Sequence, residues 1–311
     1  MDGIINVYKE AGFTSHDVVA KLRGILHQKK IGHTGTLDPA ATGVLPVCLG
    51  KATKVCELLT EKDKTYQAVC KLGVVTDTQD MTGQILEEND ITGITPEEIY
   101  QTVDSFLGDS MQIPPMYSAL KVNGKKLYEL AREGKEVERK PRPIRISHIE
   151  IRQLDIAEQT FTMEVTCSKG TYIRTLCHDI GQKLGVGAAM QNLVRTRVAN
   201  FSIEDAMTLD TISNLVQESE ETFMEKVYSV DSLFPTYPKF KIKPEFARKL
   251  ANGNILYYDF LESWQPEGQF RTDKISDKKT AGDKCLIYDE NGEFKAVYRH
   301  NQKDFTVIKM F

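Results

Sequence analysis

The spacing of hydrophobic residues along the chain predicts a protein of mixed helices and strands. Apolar residues recur at helical spacing in 16–26, after a Thr-Ser pair suited to cap a helix. A further helix is predicted at 96–107, where proline opens the segment, and another at 171–185, where glycine closes it. The acidic segment 203–234 is predicted to form a pair of helices. Period-two alternation predicts strands at 66–75 and a strand pair across 144–167.

Two regions depart from this pattern. Residues 112–145 carry a Pro-Pro pair, a Gly-Lys-Lys turn and one short helical piece, which is typical of an exposed excursion. Beyond Pro235 and Pro238, short strand-like runs are joined by Asn-Gly turns, which favours a small β-barrel of about 75 residues. The sequence therefore predicts a first domain at 1–235 and a second at 236–311.

Composition places the chain among globular proteins. It has 311 residues, of which 41% are hydrophobic and 27% charged. No apolar run approaches the roughly 20 residues that a membrane span needs, and the N-terminus lacks the pattern of a secretory signal. Six cysteines without a C-x-x-C pair fit reduced thiols better than a disulfide framework. We therefore expect a cytoplasmic protein without contact to membranes.

Charge is distributed unevenly. The net charge of −4 argues weakly against nucleic-acid binding. However, residues 121–145 hold nine Lys/Arg against four Glu, and 239–311 hold fourteen basic residues against eleven acidic ones. Residues 201–238, in contrast, hold eight acids against one lysine. Such a chain can present one positive surface to a polyanion, although a solvated charged helix would give the same composition.

One acid, Asp38, stands in a run of small and apolar residues, IGHTGTLDPAATGVLP. Asp before Pro often begins a helix, with Asp as the N-cap. The glycines and threonines around it favour a second interpretation, a positioned and poorly hydrated carboxylate that attacks carbon or abstracts a proton. Such a carboxylate needs a positive group to stay ionised, and Arg174 in KGTYIR is the candidate.

Other chemistries fit the sequence less well. GHTGT is not a phosphate-binding loop, because G-x-x-x-x-G-K-[ST] is absent. DTQDMTG resembles a calcium loop, but Gln79 and Met81 occupy ligand positions and Thr82 stands where glycine is needed. Cys-His-Asp at 177–179 is not a catalytic triad, since adjacent helical residues do not face each other. The six histidines show no metal-ligand spacing.

Four motifs in order resemble the TruB family, bacterial tRNA pseudouridine-55 synthases that isomerise a uridine of the T-loop. They read GHTGTLDPAATGVLPVCLGKATK, DKTYQAVCKLGVVTDTQDMTG, QIPPMYSALKVNGKKLYELAREG and KGTYIRTLCHDIG. The resemblance is strong over 3–200 and extends to the end through a PUA-like barrel, best matched by ARKLANGNIL. One departure is Glu10, where the family's N-terminal motif has proline.

The resemblance implies an α+β fold, with a mixed, largely antiparallel sheet, flanking helices and a C-terminal PUA-like β-barrel. It also implies an isomerase that flips the uridine into a pocket and needs no cofactor and no metal. Asp38 matches the aspartate that forms a covalent adduct, and Tyr66 matches the tyrosine that stacks on the base and helps remove the C5 proton. Arg174 matches the arginine that pairs with the aspartate.

Other positions match substrate-contacting residues of the family. His33 matches a histidine that fills the gap in the RNA loop, and Asp80 an acid of the aspartate–arginine network. Tyr172 and Leu193 match the lining of the uracil pocket, and Lys54 and Lys64 match basic positions near it.

The insertion 112–145 matches a segment that closes over the T-arm of tRNA. Its candidate RNA-binding residues are Lys121, Lys125, Lys126 and Arg132. The barrel would contact the acceptor stem, so that its removal weakens tRNA binding while some turnover remains. No obligate protein partner is expected, and a monomer is the default.

Two other functions stay open at this point. The chain could be an RNA-binding protein that assists tRNA folding and uses these motifs only to flip a base. It could also be a retaining glycosidase-like hydrolase with Asp38 as nucleophile. That hydrolase would need a partner acid about 5 Å away, whereas the motifs offer an arginine.

Overall fold

The computed structural model describes residues 1–122, 124–264, 284–301 and 303–311. Its strands in chain order are β1 (Gly3–Lys9), β2 (Ile31–His33), β3 (Thr42–Leu49), β4 (Lys64–Leu72), β5 (Val74–Thr76), β6 (Ile85–Glu88), β7 (Gly108–Gln112), β8 (Lys121–Val122), β9 (Lys125–Lys126), β10 (Arg142–Asp155), β11 (Thr160–Cys167), β12 (Ala188–Val198), β13 (Phe201–Ser202), β14 (Lys239–Ile242), β15 (Leu256–Tyr257), β16 (Leu261–Ser263), β17 (Lys284–Tyr288), β18 (Phe294–His300) and β19 (Asp304–Met310). The α-helices are α1 (Ser15–Ile25), α2 (Cys56–Thr60), α3 (Pro96–Asp104), α4 (Leu127–Arg132), α5 (Ile173–Leu184), α6 (Leu209–Glu218), α7 (Glu220–Met224) and α8 (Ala247–Ala251).

The predicted helices form for the expected local reasons. Thr14 caps α1 and exchanges hydrogen bonds with Asp17, which satisfies amide groups that the first turn leaves free. Thr95 caps α3 in the same way. Helix α5 ends at Gly185, whose φ of 77° is left-handed and favours glycine. The acidic segment contains the pair α6 and α7, as predicted.

A nine-stranded sheet forms the centre of the fold. Its main order is β1-β3-β12-β4-β11-β10-β7, with β2 beside β3 and β13 beside β12. Every pairing in it is antiparallel except that of β3 with β12. The predicted mixed, largely antiparallel sheet is therefore confirmed. Helix α5 packs on one face of it, where its apolar residues join those of β4, β11 and β12 in one core.

The strand predicted at 66–75 is interrupted. Strand β4 ends at Leu72, and Gly73 turns the chain with a φ of 78°. A Cβ at Gly73 would collide with the carbonyl oxygen of Asn89, so the turn needs glycine. The continuation, β5, leaves the main sheet and pairs with β6. This turn brings the TDTQD segment to the first turn of α5, where Thr78 accepts a hydrogen bond from Arg174. The Met81 amide donates to the Met190 carbonyl there, and the Met190 amide donates to the Gln79 carbonyl.

The C-terminal strands form a nearly closed barrel of six strands in the order β15-β19-β18-β17-β14-β16, which confirms the expected barrel. This barrel shares a hydrophobic cluster with the central sheet: Leu286, Tyr288 and Val297 pack with Ile4 and Val44. The Tyr288 hydroxyl also donates to Asp231, outside the barrel, at 2.6 Å. None of the helices within the described ranges is long and apolar enough to cross a bilayer.

Candidate active site

Asp38 lies in the loop between β2 and β3, at a turn in which its carbonyl accepts from the Ala41 amide at 3.1 Å. No helix begins there, so the interpretation of Asp38 as a helix cap is wrong. Forty per cent of its side chain is exposed. The carboxylate is therefore open to a ligand on one side.

Arg174 lies on the other side of this carboxylate. Its Nε is 2.9 Å from Asp38 Oδ2, and its Nη2 donates to Oδ1 at 3.4 Å. The predicted meeting of these two residues is confirmed. Only 6% of the Arg174 side chain is exposed, and the carbonyl oxygens of Thr78 and Tyr117 accept two further hydrogens from it at 3.1 and 2.9 Å. A guanidinium whose three nitrogens all make such contacts is held in one orientation.

Asp80 completes this network. Its Oδ2 lies 3.7 Å from Arg174 Nε, and 14% of its side chain is exposed. Its Oδ1 accepts from the Thr78 hydroxyl and from the amide and hydroxyl of Thr82. These are the hydrogen bonds of an acceptor, so Asp80 serves to fix the arginine and the 76–83 turn.

Lys9 binds the loop that carries Asp38. Its side chain is fully buried, and its ammonium donates to the carbonyl oxygens of Glu10, Phe13 and Pro39 at 3.0, 2.7 and 3.1 Å. Burial lowers the pKa of Lys9 to about 8, against the opposing charge of Asp38. Lys9 thus ties the residue next to Asp38 to the N-terminal strand. Glu10, which replaces the family's proline, is part of this cage through its carbonyl.

Tyr66 lies on the same face of the sheet as α5 and is almost fully buried. Burial raises the pKa of its phenol, and the positive charge of Arg195 opposes that shift. Arg195 is the residue directly opposite Tyr66 in the pairing of β4 with β12.

Three other predicted residues border this region. His33 packs edge-on against His16, with ring centres 5.0 Å apart, and burial lowers its pKa. Tyr172 is the residue before α5, and its backbone exchanges two hydrogen bonds with the buried Gln112 side chain. Leu193 is opposite Ala68, on the Tyr66 face.

Lys54 and Lys64 bind main-chain carbonyls instead. Lys54 donates to Met310 at 2.7 Å, which places it at the contact with the barrel. Lys64 is buried and donates to Thr60 and Lys62. Neither ammonium is brought to Asp38 by these bonds, and a role in substrate binding stays a prediction.

The four candidate RNA-binding residues lie on the β8–β9 hairpin and α4. Lys126 Nζ lies 5.3 Å and Arg132 Cζ 5.4 Å from the centre of the Tyr128 ring. Lys125 is 3.6 Å from Glu133, and Lys121 is exposed opposite Lys126. This segment begins next to the site, since Tyr117 binds Arg174 through its carbonyl.

Sequence reasoning did not identify Lys9, Gln112 or Arg195. A signal existed for two of them, because each is a charged residue after uncharged residues within a strand: Lys9 in INVYK and Arg195 in NLVRT. Gln112 gave no such signal. Within the described residues, His, Cys, Asp and Glu side chains form no group of three or more suited to a metal ion.

Comparison with known proteins agrees with this geometry. Residues 23–173 match the model of the TruB family pseudouridylate synthase N-terminal domain, and 174–235 match that of the tRNA pseudouridylate synthase B C-terminal domain. The tRNA pseudouridine synthase B of Lachnoclostridium phytofermentans is 49% identical over 320 residues, covering 100% of both chains. That of Clostridium perfringens strain ATCC 13124 is 42% identical over 310 residues, covering 100% of this chain and 99% of its own.

Solved structures show the same fold. A chain from a crystallised Cbf5-Nop10-Gar1 complex superposes with a TM-score of 0.71 at 29% identity, covering 99% of this chain and 84% of its own. A second, from an H/ACA RNP bound to a substrate RNA, has a TM-score of 0.71 at 26% identity with the same coverage. From family models, relatives and fold together, the chain belongs to the TruB family of pseudouridylate synthases and is an isomerase that acts on tRNA.

Proposed function

We propose that this enzyme isomerises the uridine at position 55, in the T-loop of tRNA, through a covalent adduct with Asp38. The observation that carries the proposal is the Asp38 carboxylate, open on one side and held by Arg174 on the other. A nucleophile needs this combination of access and fixed orientation.

The reaction breaks the bond between ribose and uracil N1, turns the base and rejoins it through C5. Asp38 is the only carboxylate of the loop, and Arg174 holds it in one orientation. Asp80 acts through Arg174, since one of its oxygens is bound by Thr78 and Thr82 and the other faces the arginine. Tyr66, with Tyr172 and Leu193, would enclose the base while the glycosidic bond is open.

The RNA would be held by surfaces around Asp38 and Tyr66. A uridine in a loop must leave its stack to reach Asp38, and His33 would fill the space that it leaves. Lys121, Lys125, Lys126 and Arg132 would bind phosphates of the T-arm, and residues 236–311 the acceptor stem, as an RNA-binding part beside a catalytic part at 1–235. We place the reaction in the cytoplasm, without an obligate protein partner.

One alternative gains an observation from the structure. A retaining hydrolase needs two carboxyl groups about 5 Å apart, and Asp38 and Asp80 both approach the same Arg174 nitrogen. However, Asp80 accepts hydrogen bonds on one oxygen and faces the arginine with the other, so neither oxygen is free to approach a leaving group. The isomerase proposal uses both carboxylates as they are bound.

Tritium release tests the proposal. A tRNA transcript labelled with tritium at uridine C5 should lose one tritium per molecule to solvent, because rejoining through C5 expels that hydrogen. The matched control is a transcript with cytidine in place of the uridine at position 55, which should release none. Binding without release would support a tRNA-folding protein. Equal release from both transcripts would contradict the assignment of the position.

A further inference from the structure

Arg195 is a second buried arginine of the central sheet, and no carboxylate among the described residues forms an ion pair with it. Its side chain is 1% exposed. It lies on β12 between Tyr66 of β4 and Gly43 of β3, directly opposite both. A Cβ at Gly43 would collide with the Arg195 backbone, so glycine is what allows the strands to approach here.

A break in the strand register aims this side chain. The pairing of β12 with β4 shifts between Arg195 and Arg197, as in a β-bulge. Arg195 therefore shares the active-site face with Tyr66. Arg197 points to the opposite face, where it donates to the Thr65 hydroxyl.

The contacts of Arg195 are few. Its Nε donates to the carbonyl oxygen of Val44 at 2.7 Å, and the Tyr66 phenol is its neighbour across the strand pairing. Its Nη2 has no partner among the described residues, and no ion pair with Asp or Glu is formed there. Burying a charge in this way is unfavourable unless another group compensates it. Among the described residues, the Tyr66 phenol is the neighbouring group that can become negative.

The charge of Arg195 opposes the other influences on the pKa of Tyr66. Burial, the Cys167 thiol on β11 and the Asp38 carboxylate all raise the pKa of the phenol, and Arg195 alone lowers it. A guanidinium beside the phenol also turns the phenol hydrogen away from itself. Arg195 thus acts on both the orientation and the charge of Tyr66.

We propose that Arg195 is a positioning residue for Tyr66, which fixes the phenol oxygen and stabilises its ionised form for removal of the C5 proton. This inference rests on the proposed function. In the step, the C5–H bond breaks and its electron pair forms the C5–C6 double bond, while the electron pair of the N1–C6 double bond moves to N1. The phenolate takes the proton, N1 takes one from solvent, and the phenol later returns its proton to water.

A double-mutant cycle tests this inference. Single-turnover tritium release is measured for the wild type, Arg195→Gln, Tyr66→Phe and the double variant. General base catalysis contributes about 10²–10⁴-fold, so Arg195→Gln should slow release by about ten- to a hundredfold at pH 7 and recover partly at higher pH. In the Tyr66→Phe background the same change should have less than about a twofold effect. Arg197→Gln, on the other face of the strand, is the matched control and should change nothing.

Equal effects of Arg195→Gln in both backgrounds would overturn the inference, because Arg195 would then act apart from Tyr66. A second readout needs no turnover: phenol ionisation at 295 nm, taken as the difference between chains with Tyr66 and with Tyr66→Phe. The Tyr66 transition should move to higher pH in Arg195→Gln, and an unmoved transition would also overturn the inference. Arg195→Lys enters both measurements if Arg195→Gln does not fold. Absence of release by the wild type would instead refute the proposed function.

Discussion

Arg174 Nε lies 2.9 Å from Asp38 Oδ2, although 136 positions separate the two residues in the chain. The aspartate comes from a loop beside β3, and the arginine from the first turn of α5, which packs on the central sheet. The pair therefore exists only when the sheet and the helix are assembled. This dependence makes the site sensitive to several residues that never touch the substrate.

Arg174→Met should both stop turnover and destabilise the fold. It leaves Asp80, which is 14% exposed, without its cationic partner. Removing one partner of a buried pair costs about 3–5 kcal/mol, and partial exposure places this case near the lower end. Urea unfolding measures the loss. Arg197→Met, an exposed arginine bound only to Thr65, is the control and should cost less than about 1 kcal/mol. Equal losses would contradict the central position given to Arg174.

Lys9→Met should reduce turnover more than it reduces tRNA affinity. Without the ammonium, the carbonyl oxygens of Glu10, Phe13 and Pro39 lose a shared donor, and the loop of Asp38 is no longer tied to β1. A misplacement of about 1 Å can cost about 10²-fold in rate. Single-turnover release and tRNA binding are measured side by side, with the exposed Lys29→Met as control. A normal rate in Lys9→Met would show that the loop keeps its position unaided.

Stability at mildly acid pH should depend on His33. Burial lowers its pKa below the ordinary value of 6.5, helped by the neighbouring His16. As pH falls below 6.5 the unfolded state takes up a proton that the folded state still refuses, so folding free energy is lost with falling pH. His33→Gln should remove this part of the loss. Urea unfolding at pH 7.5 and pH 5.5 gives the comparison, and an unchanged difference between the two pH values would refute the assignment.

The C-terminal barrel should unfold together with the sheet. Leu286 of β17 is fully buried in the cluster that also contains Ile4 and Val44. Leu286→Ala should therefore reduce the free energy of unfolding by about 2–5 kcal/mol. Calorimetry should show a single unfolding transition, with a lower midpoint temperature than in the wild type. Val307→Ala, at a partly exposed position of β19, is the matched control. Two separate transitions would show that the barrel is an independent unit.

This shared cluster also changes an expectation from the sequence. Removal of residues 236–311 was expected to weaken tRNA binding and leave some turnover. Because Leu286, Tyr288 and Val297 cover Ile4 and Val44, truncation would expose apolar residues of the catalytic sheet itself. We now expect the truncated chain to lose stability as well, so that its turnover does not isolate the contribution of the barrel to binding.

Local signals predicted much of the fold. The Thr14 cap, the proline at the start of α3 and the glycine after α5 are read from a few neighbouring residues, and all three stand where they were expected. The break at Gly73 was missed, because it depends on the approach of Asn89, sixteen positions later. The order of the strands in the sheet likewise depends on contacts between segments that are distant in the chain.

The same distinction holds for the site. Asp38 was conspicuous as a lone acid in an uncharged stretch, Arg174 was the candidate for its positive partner, and resemblance to a family added Tyr66. Lys9 and Arg195 escaped notice because their importance comes from burial, which sequence alone does not give. The carbonyl of Tyr117 was invisible for a further reason: any residue has a carbonyl, and only the fold selects one.

The most direct test of the account is the Asp38→Asn variant in the tritium assay. Asparagine keeps the shape of the side chain but is neither charged nor a nucleophile at carbon. The account predicts that the variant binds tRNA with an affinity within a few-fold of the wild type and releases no tritium from C5, even at enzyme excess. Tritium release at a rate close to that of the wild type would contradict it.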